Sequence, residues 1–296
     1  MDPEEDLVPI KDDTSSVLFM ATASEADSLA SSLNSITVPY LASFPPQSTE
    51  QKQQSQALQK HMRLGSQLPE LFDDDPAALR GYVADKFRFR ALSAYASVRA
   101  ATAVDLIPAD PLFLCVGGGP GSDAFGCVLA REGGPPALVF DYAVGWQPVV
   151  EQVGELSGGR VGWGGVVDVT QDVAGTTLET ALRSRSACVV VFHYVLCEVM
   201  RSCEAGDNRD LWMTLVLSIV AGAPTGTVVV VQDQPRDGRV VKLLRERLAG
   251  IRDVSVAMVG ENRNRSGGKK KRRGAAARRE EGGEWDSTTL VITIQG

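Results

Sequence analysis

No run of the 296-residue chain is apolar for long enough to cross a bilayer. The nearest, Leu211–Pro224, stops short of the roughly 20 residues that a spanning helix needs. The five cysteines, at 115, 127, 188, 197 and 203, include no close pair of the kind that binds zinc, and Cys197 and Cys203 stand six apart. Cys115 and Cys188 lie inside apolar runs, so reduced core thiols and a reducing compartment are expected. The opening Met1-Asp2-Pro3-Glu4-Glu5-Asp6 lacks the basic flank and apolar core of a secretory leader. No His, Cys, Asp and Glu cluster has metal-ligand spacing, so no metal is expected. These absences set aside a membrane span and a cysteine-built metal centre. They point to an intracellular protein.

Acidic residues outnumber basic ones, and the two are unevenly spread. The net charge is −7, yet residues 262–284 carry nine Lys/Arg and three Glu, a balance of +6, so the remainder sums to −13. An acidic body with one basic segment is not the even basic surface of a dedicated duplex binder. With 44% apolar residues the chain can build a substantial core, and its length suits one large α/β domain with an N-terminal appendage.

Residues 1–75 read as that appendage, acidic and polar, partly disordered with short helices. Ser24 is the N-cap of one such helix, and Gln47–Gln59 is a glutamine-rich linker or a solvated helix. The main domain spans 76–296. Asp73-Asp74-Asp75-Pro76 opens a long helix running towards Val104, with Pro76 suited to a first helical turn. Its cations, Arg80, Lys86, Arg88, Arg90 and Arg99, read as a solvated face over a cleft, or as a guide for a phosphate-bearing partner. From Leu112 onwards, strands and helices alternate. Strands are expected at 112–116, 137–141, 161–169, 187–194 and 226–233, and helices at 122–129, 145–156, 176–183, 207–221 and 237–248. Two further strands, 254–259 and 288–294, have no helix between them. Alternating units imply a parallel sheet covered on both faces.

The most informative stretch is Leu112-Phe113-Leu114-Cys115-Val116 followed by Gly117-Gly118-Gly119-Pro120-Gly121, then Ser122 and Asp123 opening a helix. Strand, glycine turn and helix N-terminus together bring backbone N–H groups close to a nucleoside cofactor. The stretch resembles motif I of the class I S-adenosylmethionine-dependent methyltransferases, through Leu114, Val116, Gly117, Gly119 and Gly121. Cys115 stands where that family carries an acidic residue. Gly119-Pro120-Gly121-Ser122-Asp123-Ala124 also fits the G-x-G-x-x-A of a dinucleotide site. The closing strand pair decides between them, because it matches the antiparallel finish of the methyltransferase sheet and leaves no sequence for a dehydrogenase's second domain. The resemblance spans Pro111–Gly296. It implies an α/β, Rossmann-like, doubly wound and mostly parallel seven-stranded sheet with an antiparallel C-terminal strand, preceded by an N-terminal helical region.

The same resemblance implies S-adenosylmethionine as cofactor. Gly117, Gly118, Gly119 and Gly121 would form its cradle. Asp141, closing the second strand, would accept the ribose hydroxyls, as a carboxylate at that spacing does for either kind of cofactor. Tyr142 and Trp146 would wall the nucleoside, or else belong to the core. Asp168 and Val169 would meet the adenine; the other reading of Asp168 is a turn cap. His193, one of two histidines, and Glu198 close the fourth strand at the cleft mouth. They are the candidate catalytic residues should the acceptor have to lose a proton, and His193 would otherwise line the cofactor. The chain lacks the Asn/Asp-Pro-Pro-Tyr/Phe of exocyclic amino methylation and the Pro-Cys of cytosine-carbon methylation.

The segments CVGGGPGSD, FDYAVGW and HYVLCEV are similar to eukaryotic methyltransferases of large-subunit ribosomal RNA, including a uridine-N3 group. That resemblance implies an RNA partner, contacted through Lys269, Lys270, Lys271, Arg272 and Arg273, and a cytoplasmic or nuclear, nucleolar location. The other expectations are a small-molecule or protein acceptor, a non-catalytic scaffold, an NAD(P)-binding protein, and a basic segment that is merely solvated.

Overall fold

Among the described residues, seven strands of the computed structural model form one sheet, and a two-stranded hairpin and the helices Ala23–Ala42 and Pro76–Thr102 precede it in the chain. The structure describes residues 7–12, 15–42, 49, 76–131, 133–204, 210–233, 239–249, 251, 253–259 and 288–295. Strands β1 (Leu7–Asp12) and β2 (Ser15–Thr22) pair antiparallel, and α1 (Ala23–Ala42) follows. The long helix α2 covers Pro76–Thr102. Then come β3 (Leu112–Val116), α3 (Ser122–Leu129), β4 (Ala137–Asp141), α4 (Gln147–Leu156) and β5 (Val161–Val166). These are followed by α5 (Thr177–Arg183), β6 (Cys188–His193), α6 (Val195–Glu204), α7 (Thr214–Gly222) and β7 (Val228–Asp233). The chain closes with α8 (Arg239–Leu248), β8 (Val254–Val259) and β9 (Thr288–Ile294).

The sheet order is β5-β4-β3-β6-β7-β9-β8. Strands β3 to β7 pair in parallel, whereas β9 lies between β7 and β8, antiparallel to both. The order reverses between β3 and β6, and a ligand crevice in an open α/β sheet opens at such a point, beyond the carboxyl ends of the strands.

Both faces of the sheet are buried, which explains why the central strands read as continuous apolar runs. Along β3, Phe113 and Cys115 enter the core shared with α1 to α4, while Leu112, Leu114 and Val116 enter the core beneath α5 to α8. Helix α1 adds Leu29, Leu33, Ile36 and Tyr40 to the first of these cores. Close helix packing has a local cause at Gly126 in α3. A Cβ there would lie 2.2 Å from the Ala91 carbonyl oxygen of α2, so the absent side chain sets how near the two helices come.

Several elements differ from their sequence-based expectations. Before residue 43 the described residues hold a β-hairpin that was not expected, and a 20-residue helix from Ala23, next to the Ser24 at which a helix was expected to start. The third sheet strand bulges at Gly164 and ends at Val166 rather than 169; the Val167 N–H makes the last bond to β4, on the Asp141 carbonyl, and the chain then enters the turn held by Asp168. The helix expected at 207–221 is a 3-10 turn at Leu211–Met213 followed by α7, and Asp207 lies outside the described residues. Helix α6 was not anticipated, although Leu196, Cys197 and Met200 are buried at helical spacing. The basic run Lys269–Arg273 and the glutamine-rich 47–59 also lie outside the described residues. Among the described residues no helix is long and apolar enough to cross a membrane.

Candidate active site

The turn from β3 into α3 is built from glycines because the backbone takes left-handed angles there. Gly117, Gly119 and Gly121 have φ of 67°, 50° and 84°. Gly117 is the most constrained, since a Cβ would fall 2.4 Å from Val195 Cγ2 at the start of α6. Its N–H donates to the Phe140 carbonyl at 2.7 Å, tying the turn to the end of β4. Gly119 passes Trp146 and Tyr82, whose rings are 5.3 Å apart and would lie 3.8–3.9 Å from a Cβ at that position. Gly118 follows Gly117 in the same turn, and the Gly118 carbonyl accepts the Gly121 N–H.

Asp141 stands beside this turn. One carboxylate oxygen accepts the Gly119 N–H at 2.9 Å and the other accepts the Ala143 N–H at 3.0 Å. The side chain is half-buried, and a carboxylate has about four acceptor positions, so capacity remains for two hydroxyls. Burial pushes its carboxyl up to about 6, against the pull of the two N–H donors, with Glu198 adding to the rise and Arg90 opposing it. An unfolded aspartate titrates near 3.9, so between about pH 4 and 6 the folded chain holds more proton at Asp141 than the unfolded chain does. The contribution of this group to stability is complete below pH 4 and is lost as pH rises through 6. Denaturation midpoints of the wild type and Asp141→Asn should therefore move in favour of the variant over that window, by on the order of 1–2 kcal/mol. A constant difference across the window would overturn the assignment.

Tyr142, next in the chain, is 55% exposed, with Val144 and Val166 also exposed, and together they leave an apolar rim beside Asp141. Trp146, by contrast, is buried in the core. Asp168 lies just past β5, and its carboxylate holds its own turn, accepting from Thr170 N at 2.8 Å, Thr170 Oγ1 at 2.7 Å and Gln171 Nε2 at 3.3 Å. This is the turn-cap geometry. Val169 is buried, and its carbonyl accepts the Leu215 N–H. Cys115 is buried, and neighbouring Cys127 together with burial pushes its thiol well up.

His193 is placed inside the protein rather than at the surface of the cleft. It is 0% exposed, Nδ1 is 3.4 Å from Asp123 Oδ1, and neither ring nitrogen hydrogen-bonds to a described residue. Burial lowers its pKa, with Arg90 acting in the same direction and Asp123 opposing, so the imidazole is neutral. Glu198, in the first turn of α6, is the member of the pair that meets solvent, its side chain 36% exposed. Burial raises its pKa, while Arg90, Arg201 and Lys86 draw it down.

The residue that joins these groups is Arg90. Instead of lying on a solvated face it is 7% exposed, donates to the His193 carbonyl, pairs with Glu198 at 3.2 Å and sits 5.2 Å from the Tyr194 ring centre. Burial opposes its charge, but the neighbouring Glu198 and Asp123 carboxylates favour it, and the guanidinium stays protonated. Asp123, 1% exposed at the start of α3, and Arg90 escape a sequence reading because nothing local marks either as inward-facing.

A surface groove of about 310 Å³ lies elsewhere, between α5 and α7, lined by Asp172, Arg183, Ser218 and Pro224 among others. Its Arg183 pairs with Glu179 at 2.8 Å. Among the described residues no group of three or more His, Cys, Asp and Glu side chains is placed to hold a metal ion.

No family model and no curated protein matches the sequence. Similar solved structures include an O-methyltransferase family protein from Burkholderia thailandensis, 12% identical with a TM-score of 0.48, covering 83% of this chain and 72% of that one. The mitomycin 7-O-methyltransferase MmcR is 16% identical with a TM-score of 0.45, covering 93% and 76%. The plantazolicin methyltransferase BpumL, in complex with SAH, is 9% identical with a TM-score of 0.46, covering 81% and 98%. By its strand order and its antiparallel β9, this chain has the Rossmann-like, seven-stranded fold of the class I methyltransferases.

Proposed function

We propose that the protein is an S-adenosylmethionine-dependent methyltransferase. The observation that carries this reading is the Asp141 carboxylate hydrogen-bonded to the glycine turn at the reversal of strand order, with acceptor positions to spare. The residues present fit the group: Gly117, Gly119 and Gly121 take left-handed angles, Gly117 has no room for a Cβ, and a half-buried acid stands beside the turn. Asp141 would hold the ribose diol, Gly117 to Gly121 would pass under the nucleoside and amino-acid end, and Tyr142 would flank the adenine. When bound, the cofactor supplies an electrophilic methyl group on a cationic sulfonium. Glu198 would take up the proton of an N–H or O–H acceptor, and His193 would back the turn from within as a neutral wall.

Calorimetric titration tests the reading directly. S-adenosylmethionine should bind saturably, and tighten as pH rises from 5 to 7, since the ionised Asp141 is the better acceptor of hydroxyls. Heat with a nicotinamide dinucleotide and none with S-adenosylmethionine would reverse the choice.

For the acceptor, the basic run Lys269, Lys270, Lys271, Arg272 and Arg273 favours RNA. Deleting residues 266–279 should then reduce the slope of log affinity for RNA against log salt by about 2 or more. An unchanged slope leaves a small molecule or a protein side chain as the acceptor.

A further inference from the structure

Helix α2 carries three buried polar side chains on one face, Arg90, Ser93 and Ser97, and each meets the carboxyl end of a central strand. Ser97 Oγ donates to Gln232 Oε1 of β7 at 2.7 Å and lies 3.2 Å from Thr289 Oγ1 of β9. Ser93 Oγ is 2.8 Å from the Tyr194 hydroxyl. Arg90 reaches three parts of the single turn between β6 and α6: the His193 carbonyl, the Tyr194 ring and the Glu198 carboxylate.

That turn needs holding. Tyr194 has φ of +62°, a left-handed conformation that a tyrosine keeps only where its surroundings over-determine it. Its surroundings are largely α2. Phe89 stacks on its ring at 5.8 Å, Arg90 lies beside it, and Ser93 meets its hydroxyl. Helix α6 starts at the next residue, Val195, and carries Glu198 in its first turn.

We propose that Arg90 is a positioning residue of the acceptor side: from α2 it locks the β6–α6 turn and holds the Glu198 carboxylate at the mouth of the cleft. The naming of an acceptor side rests on the methyltransferase reading, whereas the lock does not. The groups that act on Glu198 are Arg90 and Lys86 from α2, Arg201 from α6 itself and Asp123 from α3, and of the three cations Arg90 has the largest effect.

The test uses the full chain with Arg90→Gln and Arg90→Lys. The Glu198 carboxyl carbon is followed by NMR titration, its signal identified by loss in Glu198→Gln. In Arg90→Gln the Glu198 midpoint should rise by a unit or more, and amide exchange over residues 193–204 should quicken at least tenfold. Arg90→Lys restores the charge without the fork, so the midpoint should return near the wild-type value while exchange stays fast. An unmoved midpoint, or unchanged exchange in Arg90→Gln, overturns the proposal. Should Arg90→Gln not fold, Tyr194→Phe and Ser93→Ala remove one bond of the same lock and should quicken exchange in the same segment, and no change there overturns it equally. Wild-type protein that fails to bind S-adenosylmethionine sinks the methyltransferase reading alone, because titration and exchange judge the lock without it.

Discussion

Asp141→Ala is expected to weaken S-adenosylmethionine binding by about 1.5–3 kcal/mol, roughly 10- to 150-fold in Kd. The range is that of hydrogen bonds to a charged group, and two things are lost together. The ribose loses its carboxylate, and the turn loses the anchor that Asp141 provides to Gly119 N–H at 2.9 Å and Ala143 N–H at 3.0 Å. Asp141→Asn should fall between, because its amide oxygen still accepts one N–H while its NH₂ group faces a second donor. Calorimetry at pH 7.5, with a melting curve to confirm folding, checks both. A Kd within twofold of wild type for Asp141→Ala would remove the ribose assignment and, with it, the main support for the cofactor.

Gly126→Ala should cost about 3 kcal/mol of stability, a fall in Tm of roughly 6–12 °C for a domain of this size. The added Cβ would sit 2.2 Å from the Ala91 carbonyl oxygen and 3.0 Å from the Ala94 methyl. The obstacle is the backbone of another helix rather than a side chain that can swing aside, so α2 and α3 must move apart. That would draw Arg90 and Ser93 off the β6–α6 turn as well. The control is Gly222→Ala at the end of α7, where nothing lies within 4 Å, and it should stay within about 0.5 kcal/mol of wild type. Equal melting temperatures for Gly126→Ala and wild type would show that the helices are not held at this separation.

The frame of the protein was legible in the chain because its causes are local. Buried parallel strands must be apolar throughout, so 112–116, 137–141 and 188–193 announce themselves as short apolar runs. A backbone at φ of 50–84° calls for glycine, so the turn before α3 is visible as such. The two closing strands read as the antiparallel finish of the sheet, and β9 does pair antiparallel with β8 and with β7. The position of Asp141 beside the turn was legible too, because strand end and glycine spacing place it there.

What folding alone settled is which polar groups face inward. Arg90 looks like its neighbours Arg88 and Lys86 in a helix with apolar residues around most of its girth, and only the approach of β6, 103 residues later, turns it into a buried clamp. The same holds for His193, which closes an apolar strand and is shut in by α2 and α3, and for Asp168, whose carboxylate is taken up by Thr170 once β5 stops at Val166. A charged side chain carries no local sign of whether water or a distant partner will neutralise it. Apolar periodicity and glycine angles are properties of a few consecutive residues, whereas the pairing of buried polar groups depends on elements a hundred positions apart meeting at one end of the sheet.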